Sequence, residues 1–142
     1  MKTKWGIRLR LFFLTIWLLA ACKPLAGTDW ILISLNGHEL IPSTTITLSF
    51  DGERLAGYGG CNQYGTAVKI KDDTFVFEEK HTASTEFYCV EPEGNVEQEK
   101  EYLSTLQSVV TYSRSDNRLE MKNENGNVVL IFTKGLPKDF PG

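Results

Sequence analysis

The chain has 142 residues, 42% of them hydrophobic and 11% aromatic, which is one domain's worth of sequence with enough apolar volume to pack a core. Charge divides unevenly: Lys2, Lys4, Arg8 and Arg10 give the first 21 residues +4, and since the whole chain carries −3 the remainder carries −7. An acidic remainder argues against phosphate-backbone binding, which needs clustered Lys and Arg, so no nucleic-acid partner is expected.

The first segment is a basic stretch, Met1 to Arg10, followed by the apolar run Leu11 to Leu19 and the small pair Ala20-Ala21. That order is the layout of a secretory signal, and the run is shorter than the roughly 20 residues a membrane span requires. Leu19-Ala20-Ala21-Cys22 resembles the bacterial lipobox, in which a small-residue tripeptide precedes a cysteine that takes a diacylglyceryl group and becomes the new N-terminus. The resemblance implies a lipoprotein of 121 residues held in the bilayer through acyl chains on Cys22, since several chains anchor stably where one does not. An ordinary cleaved signal that ends near a cysteine is the plainer alternative. Lys23, in place of an aspartate, implies sorting to the outer membrane in a Gram-negative cell. In other bacteria the address is the outer face of the plasma membrane.

Residues 1–21 are thus expected to be a signal peptide, 22–29 a linker carrying the lipid, 30–134 a folded domain and 135–142 a loose tail. Trp30 to Leu35 is an apolar run ending at the turn pair Asn36-Gly37, which predicts a strand. Ile46, Leu48 and Phe50 alternate with Thr47 and Ser49, and Asp51-Gly52 then marks a hairpin returning through Arg54 to Tyr58. Thr66 to Ile70 alternates again, Asp72-Asp73 makes a turn, and Thr74 to Glu78 places Phe75 and Phe77 on one face.

A helix follows. Asn95 is expected to cap it, with Gln98 as the capping-box partner and Glu97, Glu99 and Glu101 favoured by the helix dipole. Val96, Leu103, Leu106 and Val110 predict its apolar stripe. Thr111 to Arg114 reads as a strand, and Arg118 to Lys122 and Val128 to Thr133 flank a second hairpin at Asn125-Gly126. The pattern predicts an α+β domain: a mainly antiparallel, curled β-sheet or partly open barrel of short strands, with one packed α-helix.

Beyond these patterns, Gly60-Cys61-Asn62 resembles the signature of the META domain family, the family of the heat-inducible bacterial protein HslJ. Trp30 and Leu35-Asn36-Gly37 match its opening strand and turn, Phe50 and Gly57 to Asn62 its glycine-rich run, and Thr85, Phe87 and Cys89 its next motif. Glu99, Tyr102, Leu103 and Leu106 match its helix, and Leu119 and Met121 its closing hairpin. Tyr64 belongs to the same constellation. The likeness spans about Thr28 to Lys134. Phe87 stands where the family often has Met, and Tyr88 where it has a small residue. The resemblance implies a compact mixed β domain without established enzymatic activity, associated with envelope, stress or surface functions.

Cys61 and Cys89 are the main candidates for chemistry. Outside the cytoplasm they suit a disulfide, closing a loop of about 28 residues worth roughly 3 kcal/mol. Buried reduced thiols and a catalytic thiol remain alternatives, the last requiring a depressed pKa. Neither His38 nor His81 stands in a pattern that supplies one. The cysteines and histidines lack zinc spacing, Asp72-Asp73 lacks further oxygen ligands for calcium, and Glu78-Glu79 point to opposite strand faces, so no metal or cofactor is expected. Gly57, Gly59 and Gly60 lack the ending of a phosphate loop and suit a close backbone approach, with the Asn62 amide satisfying backbone groups in the bend.

Three functions compete. The leading one is a non-enzymatic envelope lipoprotein whose domain binds or supports a partner protein or small ligand, using exposed aromatics such as Tyr58, Tyr64 and Tyr88. The second is a protective module that inhibits a protease or sequesters a small molecule through a stiff, exposed loop at Thr82 to Gly94. The third is a thiol enzyme using Cys61 or Cys89.

Overall fold

The computed structural model describes residues 25–78 and 82–136. The expected signal peptide of residues 1–21, the lipidation of Cys22, His81 and residues 137–142 of the tail lie outside them. Ten elements follow in order: β1 (Thr28–Leu35), β2 (Thr47–Phe50), β3 (Arg54–Tyr58), β4 (Gln63–Lys71), β5 (Thr74–Phe77), β6 (Ala83–Ser84), α1 (Asn95–Gln107), β7 (Val109–Arg114), β8 (Arg118–Asn123) and β9 (Val128–Lys134).

Every strand pair is antiparallel, in the order β3-β2-β1-β9-β8-β7-β5-β4-β6, and β3 also pairs with β4. That last pairing joins the flanks of the sheet, so the expected curled sheet closes into an eight-stranded barrel, with β6 a short ninth strand that follows β5 along the same edge of β4. The thinnest seam is β5 against β7, paired through Thr74 and Thr111.

Alternation explains most of the core, and bulges explain the rest. In β1, Trp30 and Leu32 point inward, and strict alternation would turn Leu35 out. A register shift between Leu32 and Ser34 absorbs Ile33, which is exposed, and restores Leu35 to the interior. A shift between Val109 and Thr111 does the same in β7, burying both Val109 and Tyr112. Leu48, Leu55, Val68, Phe75, Leu119, Met121, Leu130 and Phe132 fill the interior beside Trp30. Each such side chain contributes roughly 1.5–3 kcal/mol by leaving water.

The barrel has two unlike ends. At one end the chain enters at Thr28, leaves at Lys134 beside Trp30, and turns at Asp51–Arg54, Lys71–Thr74 and Arg114–Arg118. At the other lie the Asn36-Gly37 turn, residues 59–62 and α1. Both Asn36 and Gly37 adopt positive φ, as a two-residue hairpin turn demands, and Asn36 Nδ2 donates to Glu101 and Thr105 of α1.

Three sequence expectations change. The linker is shorter than residues 22–29: Leu25 is buried, Gly27 donates its N–H to Phe50, and Thr28, bonded to the Leu25 carbonyl, accepts from the Trp30 indole. The tail is held at its start, where Gly135 donates to Asp29. And Asn95 does not cap α1. Gly94 occupies the cap position without a side-chain bond, and Asn95 is the first helical residue, turned inward.

Candidate functional site

The inner face of α1 repeats every three to four residues, as a helix requires, but its members are Asn95, Gln98, Glu99, Tyr102, Thr105 and Leu106. The predicted apolar stripe is rotated away from the barrel: Val96 and Leu103 are half-buried, Leu106 alone of the four is buried, and Val110 is exposed in β7. A polar inner face follows from what it meets. The helix covers the end of a barrel, where chain turns present unpaired N–H and C=O groups that buried structure must satisfy.

Glu99 meets that demand for the Gly60-Cys61-Asn62 bend. Its Oε2 accepts from the backbone N–H of Cys61 at 2.9 Å and of Asn62 at 2.6 Å, and its Oε1 accepts from Asn62 Nδ2 at 2.7 Å. Gln98 does the same for the 41–44 segment, accepting from Ile41 N–H and donating to Thr44 Oγ1, so it is no capping-box partner. Asn95 Nδ2 donates to the Gly60 carbonyl.

Asn62 uses its whole side-chain capacity. Nδ2 donates to Glu99 and to the Phe87 carbonyl, while Oδ1 accepts from Phe87 N–H at 2.7 Å and Thr85 Oγ1 at 2.8 Å. One amide therefore stands in for a peptide unit and extends the pairing of β4 to residues 85–87. The glycines are required by proximity. A Cβ on Gly57 would lie 2.1 Å from the Thr47 carbonyl oxygen, and one on Gly59 would lie 2.7 Å from Glu99 Oε2. Gly60 needs its positive φ of 110° and faces Asn95.

Cys61 and Cys89 form a disulfide with Cα atoms 5.8 Å apart. Bonded to each other, they do not offer the free thiol a thiol enzyme requires. The bridge and Asn62 hold one segment at two points, and between and beyond them Phe87, Tyr88 and Val90 are 71%, 81% and 73% exposed. Of the aromatics expected on a binding face, Tyr88 is exposed and Tyr58 half-buried, but Tyr64 is buried. Tyr64 lies edge-on to Tyr102 under the helix. Their hydroxyls are 2.6 Å apart, and Tyr64 donates onward to the Thr47 carbonyl. Burial, reinforced by the neighbouring Tyr102, pushes the Tyr64 hydroxyl well above the usual tyrosine range; burial raises Tyr102 as well.

The inward role of Glu99 and the exposure of Phe87 and Val90 were missed in the sequence. The polar repeat Asn95, Gln98, Glu99, Tyr102 was the available signal for the first. His38 sits in an exposed turn beside a cleft of about 300 Å³ that Glu97, Gln98 and Glu101 also line. Among the described residues no group of three or more His, Cys, Asp or Glu is placed to hold a metal, and no helix is long and apolar enough to cross a membrane.

A family model described as META domain matches residues 23–135. An NMR structure of a protein from Burkholderia xenovorans is similar with a TM-score of 0.61 and 23% identity, over 80% of this chain and 85% of that one. A second NMR structure is similar with a TM-score of 0.59 and 18% identity, over 77% and 90% of the two chains. At these identities the likeness is one of fold. No curated protein matches the chain significantly.

Proposed function

The chain belongs to the META domain family, and from that premise we propose that it is an envelope lipoprotein, anchored through Cys22, whose barrel is a non-enzymatic binding module. The observation that carries this reading is the segment 85–90. Its polar backbone is tied to Asn62 and its cysteine to Cys61, while Phe87, Tyr88 and Val90 are turned to solvent. Large apolar side chains held outward on a fixed support suit contact with another molecule. The Gly-Cys-Asn motif is engaged in holding that segment, which favours a supporting role for it over a catalytic one. Burial of Leu25, three residues after Cys22, favours a tether that leaves from the barrel end opposite the segment.

The test is the intact mass of the protein purified from its native membrane, alkylated with and without reduction. The expected result is a chain starting at Cys22 with a lipid-sized increment, and with Cys61 and Cys89 alkylated only after reduction. An unlipidated chain would overturn the anchor, and rapid alkylation of either cysteine without reduction would overturn the stapled support.

A second reading is a protective module that occupies a protease or retains a small molecule. The observation favouring it is that the expected stiff loop is both exposed and doubly fixed between residues 82 and 91. Inhibition of an envelope protease by the purified protein would select it over the first.

A further inference from the structure

We propose that the open edge of β6, together with Phe87, Tyr88 and Val90, takes an extended polypeptide segment of a partner protein in which basic and apolar residues alternate. This rests on the binding-module reading and gives it a ligand chemistry.

A closed barrel has no free edges, but β6 continues the line of β5 along one edge of β4 with no strand paired on its other side. β6 pairs with β4 alone, through Ser84 opposite Tyr64 and Ala83 opposite Gly65. Thr85 N–H donates to the Gln63 carbonyl, so residues 63 and 85 form a bonded pair, and antiparallel geometry alternates such pairs with unbonded ones. The N–H and C=O groups of Ser84 and Glu86 therefore face away from β4. Among the described residues no backbone hydrogen bond reaches them, and Ala83 to Tyr88 are all exposed. An edge of this kind is a template for one more strand, and peptide-binding domains use it by strand addition.

The edge is fixed before anything binds. Phe87 is held by Asn62 through both its N–H and its C=O, and Cys89 by Cys61. An incoming strand meets ordered backbone and need not organise it. Beyond the backbone it meets three exposed apolar side chains, which accounts for the apolar half of the pattern.

Charge accounts for the basic half. Glu86, Glu91 and Glu93 are exposed on this segment, which carries no Lys or Arg from Ala83 to Gly94. That surface attracts cationic side chains and repels the phosphates of anionic lipid headgroups. Position points the same way. The chain enters the barrel at the opposite end, where only Lys23 and Pro24 separate Cys22 from buried Leu25. A three-residue leash reaches about 10 Å at full extension, so an anchor on Cys22 keeps the β6 edge turned away from its own bilayer.

The probes are two fluorescent heptapeptides, one alternating lysine with valine and one alternating glutamate with valine, titrated into the purified full protein and read by anisotropy. The lysine peptide is expected to bind at least tenfold more tightly, to weaken as salt rises, and to slow hydrogen exchange at the Ser84 and Glu86 amides. The double variant Phe87→Ser/Tyr88→Ser, which alters exposed side chains only, is expected to weaken it about tenfold. Ser84→Pro removes one outward N–H and is expected to do likewise. Equal affinity for the two peptides, absence of binding, or protection elsewhere on the barrel would overturn the proposal. Slower exchange at the same amides on adding anionic lipid vesicles would also overturn it, in favour of a membrane. The titration needs no lipid on Cys22, so failure of the anchor leaves it readable.

Discussion

Asn62 concentrates more of the site than any other residue. Four side-chain hydrogen bonds converge on it, from or to Glu99, Phe87 and Thr85, and its backbone N–H adds a fifth. Asn62→Ala would leave Glu99 Oε1 and the Phe87 backbone without this partner. A buried polar group left unsatisfied costs about 1–3 kcal/mol. The expected loss is about 3 kcal/mol, read as a lower urea midpoint at unchanged slope. Asn62→Asp keeps the shape but replaces the donor facing Glu99 with a second carboxylate oxygen. It is expected to be worse than alanine at neutral pH, measured the same way. Glu99→Gln is milder. A glutamine oxygen can still accept from Cys61 and Asn62, but its NH₂ then confronts the Asn62 NH₂, and amide reorientation on one side relieves only part of the conflict.

Among the elements, α1 and the 83–91 segment depend on each other through β4. Replacing both Cys61 and Cys89 with alanine releases a 28-residue constraint on the unfolded chain, worth about 3–4 kcal/mol in the loop-entropy model. The expected outcome is a barrel that persists while amides 88–91 exchange faster than in the bridged protein, since Asn62 still holds residues 85–87. Equal exchange in the two proteins would show that the bridge adds nothing to the local order. The elements themselves were legible in the sequence to different depths. Strands with regular alternation, such as Thr47–Phe50, and turns with a glycine, such as Asn36-Gly37 and Asn125-Gly126, were readable because local chemistry decides them. The short strand Ala83–Ser84 was not, since two exposed residues carry no period, and only pairing with the edge of β4 makes them extended. The helix was readable but its rotation was not. A search for apolar stripes assumes that the helix packs on side chains, whereas this one packs on the backbone of a bend. The same cause hid Glu99, whose charge suggested solvent. The close-approach role of the glycines and the backbone-satisfying role of Asn62 were legible in kind, but their partners elsewhere in the chain were not.

For the molecule as a whole, the buried tyrosine pair sets an alkaline limit. Tyr64 and Tyr102 stay protonated in the fold above the ordinary tyrosine pKa of 10, whereas in the unfolded chain both ionise near it. The folded state then binds more protons than the unfolded one, so stability is intact below about pH 10 and falls as pH rises beyond it. Each tyrosine contributes a slope of up to about 1.4 kcal/mol per pH unit, and the pair up to about twice that. Tyr102→Phe is expected to lower stability at neutral pH and to halve the alkaline slope, because Tyr64 retains its bond to Thr47. Urea midpoints collected from pH 8 to 11 would check both parts, and an unchanged slope in the variant would contradict the assignment.

β1 lies between β2 and β9, so the first strand of the barrel is flanked on one side by the last. During vectorial emergence from a ribosome or a translocation channel, neighbours such as β2 and β3 or β7 and β8 can meet as soon as each hairpin is out. The ring cannot. The side of Trp30, Leu32 and Leu35 that awaits β9 stays open until residues 128–134 appear, about a hundred residues after Thr28. Emergence of β9, not the growth of a stable N-terminal half, is thus the event that licenses closure. A ribosome-bound chain stalled before Val128 is expected to remain sensitive to protease where the finished chain is resistant.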